Sequence, residues 1–265
     1  MGISTAAAVA GLAMLVWILG DVAIKGAGAI NWAFFTELPA PPGEAGGGLA
    51  NAIVGTLLLT FVATVIAVPF GILAGSYLSE FGKESSFGAA VRYVSDILVS
   101  APSIVIGVFV YLVLVLPTGN FSGTAGALAL AIIMIPVVTR TTEEMLRLVP
   151  TEMREATLAL GAPYWKMMLG VIYRAAATGM TTGILLAVAR VSGETAPLLF
   201  TALNSPYWME GLMEPTANLT VTLFNYAMSP YADWQQMAWG AAFLITASVL
   251  VLTVISRIIL FRRTS

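Results

Sequence analysis

Apolar residues dominate six stretches of this chain, near 4–24, 51–78, 94–116, 123–146, 173–196 and 236–260, with polar or glycine- and proline-rich segments between them. A helix that crosses about 30 Å of hydrocarbon needs roughly 20 mostly apolar residues, so each stretch predicts a spanning helix. The class expected is all-α, a polytopic membrane protein with six transmembrane helices. Gly71 with Gly75 and Gly179 with Gly183 place small residues four apart, a spacing that lets another helix approach closely. Pro102 predicts a kink in the third span, and Pro136 lies within the fourth. The loop around Gly46, Gly47 and Gly48 ends a first unit of residues 1–50, a lone span and its external loop; residues 51–265 form the main unit.

The longest interruption with helical order is Pro150 to Arg174, PTEMREATLALGAPYWKMMLGVIYR. Pro150 closes the helix before it, and Thr151 is expected to cap a new one whose first turn carries Glu152 and Glu155. Gly161 suits a left-handed end to that helix, and Pro163 suits the start of a second one opening with Tyr164, Trp165 and Lys166. Met153, Ala156 and Leu160 share one face, beside small Ala159. The prediction is a bent arm of two short helices, spanning 150–172, shaped to enter a socket on another protein.

Basic residues orient the spans. Lys83, Arg92, Arg140, Arg147, Arg154, Lys166, Arg174, Arg257, Arg262 and Arg263 fall on one side of the predicted bundle, against Lys25 on the other. The positive-inside tendency then places both termini and the arm in the cytoplasm and segment 197–235 outside. Asp21 with Lys25, and Arg92 with Asp96, are spaced to pair along a helix. The aromatic residues of the outer segment, among them Tyr226, Tyr231 and Trp234, suggest an interfacial belt and short surface helices.

Composition narrows the chemistry. Of 265 residues 58% are hydrophobic and 10% charged, and the mean hydropathy is +0.91. The chain has no Cys and no His, which removes disulfides, thiolate or imidazole catalysis and the usual zinc ligands. No metal or cofactor is expected, and no catalytic residue. A phosphate-cradling Gly-x-x-x-x-Gly-Lys loop is absent, so any ATP-derived power must come from another subunit. Residues 1–20 hold no Lys or Arg, which favours an uncleaved span over a secretory leader.

Among the charges inside predicted spans, Arg140, Arg190 and Glu194 are the candidates for a solute path. Arg140 lies about 25 Å below Gly123 at 1.5 Å per residue, where it either snorkels to headgroups or lines a path. Arg190 and Glu194 lie near mid-membrane, where lipid exposure costs about 2.5–3.5 kcal/mol or more, so they must face protein or water. A guanidinium offers an oxyanion a planar fork of donors and holds its charge at physiological pH. At i, i+4 spacing Glu194 is placed to hold Arg190 when the site is empty and to accept a hydrogen bond from a protonated oxyanion; the alternative is a salt bridge that only locks packing.

Glu155-Ala156 followed by Gly161 resembles the EAA loop of importer-type ABC permeases, the element that docks into the ATPase. The run Ala187-Val-Ala-Arg-Val-Ser-Gly-Glu-Thr-Ala-Pro-Leu-Leu-Phe-Thr-Ala202 is similar to the signature of the A-subunit family of phosphate-specific permeases, as are Ser100-Ala-Pro-Ser-Ile-Val-Ile-Gly107 and Met228-Ser-Pro-Tyr-Ala-Asp-Trp-Gln-Gln236. Tyr173-Arg174 stands where many EAA loops carry Leu-Pro. The resemblance implies a non-enzymatic permease subunit of an ATP-driven phosphate importer in a prokaryotic inner membrane. It implies Glu155, Ala156 and Gly161 at the ATPase and Arg140 along the phosphate pathway, to which the mid-membrane position of Arg190 and Glu194 adds those two residues. The implied partners are a homologous second permease subunit, two ATPase subunits and an extracytoplasmic phosphate-binding protein. The competing reading is a stand-alone anion channel or secondary transporter. A membrane-embedded enzyme is disfavoured, because no nucleophile or metal cluster accompanies the charged pair.

Overall fold

The computed structural model describes residues 2–261, with side chains as far as Ile258, and is helical throughout with no named strand among those residues. In order the helices are α1 (Gly2–Ala27), α2 (Trp32–Thr36), α3 (Ala50–Glu80), α4 (Ser86–Ser100), α5 (Ser103–Val110), α6 (Leu116–Thr118), α7 (Gly123–Arg147), α8 (Thr151–Ala159), α9 (Tyr164–Met167), α10 (Tyr173–Val191), α11 (Ala196–Leu199), α12 (Leu219–Ala227) and α13 (Ala232–Phe261). π-helical turns at Tyr111–Val115 and Met168–Ile172 join α5 to α6 and α9 to α10. Arg262 and Arg263, part of the predicted basic C-terminus, lie outside the described residues.

Among the described residues five helical runs are long and apolar enough to cross a membrane: α1, α3, α7, the continuous run Tyr164–Val191, and Ala232–Ile258 within α13. The third predicted span is not one helix. Ser86–Ser100 and Ser103–Thr118 meet at 103°, where a simple kink was expected. The cause is local: Pro102 offers no N–H and drives Ala101 to an extended ψ of 138°, and Pro102 itself, at ψ 132°, precedes the first turn of α5. The fifth span also begins earlier than the hydropathy pattern suggested, at Tyr164, because the second arm helix runs through a π turn straight into α10.

The centre of the bundle is α3 against α7, with α10 beside them. A Cβ on Gly71 would come within 2.7 Å of Val138 Cβ, and one on Gly75 within 2.5 Å of the Thr139 carbonyl oxygen. Gly179 lies against Met145 and Gly183 against Thr141 in the same way, so both predicted close approaches exist. Inside this seam Ala63, Ala67, Met134, Val138, Ala187 and Val191 are buried. Lipid tails are as apolar as these side chains, so dense van der Waals contact rather than exclusion from water holds such helices together.

α1 packs chiefly along α13, and its spanning window buries nothing. Its charged end pairs as predicted: Lys25 reaches Asp21 at 3.4 Å and also stands 4.6 Å above the Trp239 ring. At the opposite end from the arm the chain re-enters the bundle. Pro197 and Leu198 of α11 are buried, with Gly107 of α5 pressed on Pro197, and α12 buries Leu219 to Thr222 and Tyr226. These are internal helices rather than the surface helices expected. Tyr226 stacks on Trp234 at 4.3 Å, so those two rings serve each other rather than a lipid belt.

Candidate translocation and coupling sites

The arm forms as two helices at an angle. Gly161 takes φ +79°, the left-handed conformation that ends α8, and Pro163 precedes the first residue of α9. Thr151 does not cap α8: it is the first helical residue, with Pro150 at the cap position and no side-chain cap bond. Glu155, Ala156 and Gly161 are exposed together on the arm, and Leu160 and Trp165 are 88% and 62% exposed. No residue of α8 is buried.

α8 is fixed by polar contacts, whereas Met167, Met168 and Ile172 of the arm's second half are buried in one apolar cluster with Leu146 and Val149. Arg154 Nη1 donates to the Val149 carbonyl at 2.5 Å, while Nη2 donates to the Leu146 carbonyl at 2.8 Å and to Glu80 Oε1 at 3.0 Å. Tyr164 OH donates to Glu80 Oε2 at 2.8 Å, and Ser79 Oγ donates to Oε1 at 3.1 Å. Sequence reasoning gave Glu80 and Tyr164 no role; the available signal was a lone carboxylate closing a 31-residue helix.

Beside this clasp lies a cavity of about 180 Å³ whose wall carries Arg92, Asp96, Arg140, Glu143, Glu144 and Arg147. The expected Arg92–Asp96 pair does not form. Arg92 Nε donates to Glu143 at 2.8 Å and its Nη2 to the carbonyls of Leu78 and Gly82, while Asp96 meets Arg140 at 3.2 Å. Turning α4 across the bundle carries both residues toward α7, where opposite charges already wait. Arg140 also holds Glu144 at 3.1 Å and stays 59% exposed, so it is a half-open member of a charge cluster.

Arg190 sits elsewhere, in an open groove of about 470 Å³ between α7 and α10 that includes Val137, Thr141, Gly183 and Leu186. The Gly179–Met145 and Gly183–Thr141 contacts set the antiparallel register, which puts Arg190 level with the Met134 region, about 16 Å below the start of α7 at 1.5 Å per residue. Arg140 is then about 9 Å lower along the same seam. The structure therefore brings the two arginines to one seam but not into one cavity.

No ion pair joins Arg190 to Glu194 among the described residues, which corrects the i, i+4 expectation. α10 stops at Val191, and the Gly193 and Glu194 N–H groups close a turn on the Arg190 and Val191 carbonyls at 3.2 and 3.1 Å. Glu194 therefore leaves the helical face, and its carbonyl accepts from Thr220 Oγ1 at 2.8 Å. Thr220 is held in turn by Asn218 Oδ1 at 3.0 Å, the same oxygen that caps α12 by accepting from Val221 N–H at 2.9 Å. Non-helical backbone at membrane depth is tolerated where protein satisfies it, and Asn218 and Thr220 do that here.

A broken span, an exposed arm and a long re-entrant segment find their counterpart in known proteins. The family model described as "Binding-protein-dependent transport system inner membrane component" matches residues 67–264. The chain belongs to that family. As a member it is a multi-pass permease component of an inner-membrane transport system and not an enzyme, ATP hydrolysis residing in a separate subunit. A phosphate transport system permease protein, PstA, of Yersinia pestis is 50% identical over 98% of this chain and 88% of its own length. A probable PstA of Methanocaldococcus jannaschii is 45% identical over 74% of this chain and 70% of its own. Among solved structures, a permease chain of the inward-facing methionine ABC transporter MetNI superposes with TM-score 0.67 at 20% identity, covering 80% of this chain and 94% of that one. An amino acid ABC transporter follows with TM-score 0.56 at 19% identity, covering 78% and 91%. At those identities the structures speak for the fold, that of an importer permease.

Proposed function

We propose that this family member is the permease subunit of an ATP-driven inorganic phosphate importer, lining half of the pathway beside a homologous second permease subunit. The observation that carries the reading is Arg190, an exposed guanidinium at the broken end of α10 about 16 Å deep in the seam. A charge at that depth cannot face lipid cheaply, so a partner subunit or water covers it. Half the curated relatives' residues agree with this chain over nearly its full length, and those relatives are named for phosphate transport. Arg190 offers the anion a bidentate site, Arg140 receives it lower in the seam, and Glu194, on the turn beyond the break, accepts a hydrogen bond from the P–OH of hydrogen phosphate independently of Arg190.

Two ATPase subunits serve the pair of permeases, one of them gripping the arm at Glu155, Ala156 and Gly161, and an extracytoplasmic phosphate-binding protein delivers the solute at the opposite face. Both termini and the arm are cytoplasmic, as the distribution of Lys and Arg favours. Residues 1–50 act as a peripheral span and loop against the permease core of 51–265. The test is phosphate uptake into membrane vesicles by the complete transporter. Arg190→Gln is expected to abolish uptake while the ATPase still co-purifies, and Glu155→Lys to detach or uncouple the ATPase. Uptake by the purified chain alone, without ATP or partners, would establish a channel instead.

A further inference from the structure

We propose that the Glu80 carboxylate is the joint through which movement of the arm reaches the membrane spans, making it a positioning residue for transport that lies outside the solute pathway. The proposal rests on the arm being the ATPase docking element.

α8 is not held by apolar burial. None of its residues is buried, so no apolar anchor ties it to the bundle. Its deep attachment is Arg154, whose side chain is 13% exposed against 6% for Glu80. Through that one side chain α8 is bonded to the carbonyls of Leu146 and Val149 at the end of α7 and to Glu80 at the end of α3. The second oxygen of Glu80 accepts from Tyr164, the first residue of the fifth span. The Glu80 carboxylate thus joins the end of α3 directly to α8 and to the fifth span, and through Arg154 to the end of α7.

Chemistry makes this joint stiff. Charge-assisted hydrogen bonds are short and directional, so they resist both push and pull, whereas an exposed apolar face slides. The joint is also intolerant of partial loss: Arg154 Nε is already buried without a partner, and removing the carboxylate charge leaves a largely buried guanidinium on the Val149 and Leu146 carbonyls with no counter-charge. Both central spans and the span bearing Arg190 receive displacement from it, because Glu80 ends α3 and Tyr164 opens the run that reaches Val191.

The experiment uses the complete transporter in proteoliposomes, with internal ATP and external binding protein, and reads ATPase retention, ATP hydrolysis and radiolabelled phosphate uptake separately. Glu80→Gln is expected to keep the ATPase and its hydrolysis while phosphate moved per ATP falls about ten-fold, the size of losing one charge-assisted hydrogen bond. Glu80→Asp, which restores the charge, is expected to recover most of the ratio. Uptake and hydrolysis falling in equal proportion, loss of the ATPase, or an unchanged ratio in Glu80→Gln each overturns the proposal. Glu155→Lys separates the two levels: if it detaches the ATPase while Glu80→Gln leaves the ratio unchanged, the joint alone is wrong. If Glu155→Lys changes nothing, the docking reading fails.

Discussion

Arg92 and Arg154 perform reciprocal tasks on the two central helices. Arg92 donates to the carbonyls of Leu78 and Gly82 at the end of α3 and pairs with Glu143 of α7 at 2.8 Å; Arg154 donates to the carbonyls of Leu146 and Val149 at the end of α7 and pairs with Glu80 of α3 at 3.0 Å. Each guanidinium satisfies the orphan acceptors of one helix while its charge answers a carboxylate on the other. The ends of α3 and α7 are locked to each other at the level of the arm.

Arg92→Met should therefore cost about 1–3 kcal/mol, because it leaves two terminal carbonyls without donors and removes one of the two guanidinium partners of Glu143. Arg140→Gln breaks only exposed pairs and should cost under about 1 kcal/mol. Thermal unfolding in detergent compares them. Equal losses from the two variants would contradict the assignment of structure to Arg92 and openness to Arg140.

Gly75→Leu should prevent assembly of the bundle. Its first side-chain carbon already conflicts with the Thr139 carbonyl at 2.5 Å, and backbone cannot yield as a flexible side chain can. Gly193→Ala meets only the Arg190 carbonyl at 3.7 Å and should be tolerated. Yield of monodisperse protein after solubilisation reads the difference.

Pro102→Ala restores a donor and frees Ala101 to become helical, which should open the 103° bend and draw Asp96 away from Arg140. The chain has no cysteine, so a thiol–thiol reagent with a spacer of about 10 Å, bridging Asp96→Cys and Arg140→Cys across the distance an arginine side chain spans, is a clean reporter. Cross-linking should be efficient with Pro102 present and fall several-fold without it; equal efficiency would show that packing rather than proline sets the bend.

Glu194→Gln should leave uptake measurable while reducing the preference for phosphate over sulfate, since only phosphate brings a proton to the carboxylate. Arg190→Lys should retain part of the uptake that Arg190→Gln loses, because it keeps charge but not the fork of donors. Competition assays in vesicles read both. An unaltered preference in Glu194→Gln would remove Glu194 from the pathway.

Spans α3, α7 and α13, the two glycine pairs and the bent arm were legible in the sequence, because length, apolar runs and Gly161 followed by Pro163 are local signals. The errors came where a local rule met a distant partner. Asp96 and Arg92 satisfy the four-residue rule, yet α4 turns at Pro102 and each finds a better partner on α7. Arg190 and Glu194 satisfy it too, but the helix ends between them, stabilised by Thr220, which lies 26 residues beyond Glu194. α12 looked like a surface element because aromatic residues such as Tyr226 crowd its segment; Tyr226 stacks on Trp234 and the hydrogen bonds of Thr220 and Thr222 are internal, and pairing of that kind is invisible along the chain. Glu80 escaped notice for the same reason, its partners being 74 and 84 residues away.

The most direct test of the division between a charged seam that handles the anion and an arm that receives mechanical work is cross-linking from Leu160→Cys in the assembled transporter. Leu160 is 88% exposed at the tip of α8, so a short thiol–amine reagent should join it to the ATPase subunit in high yield. Contact of Leu160→Cys with lipid or solvent alone, while the ATPase is captured from some other segment of this chain, would contradict the account.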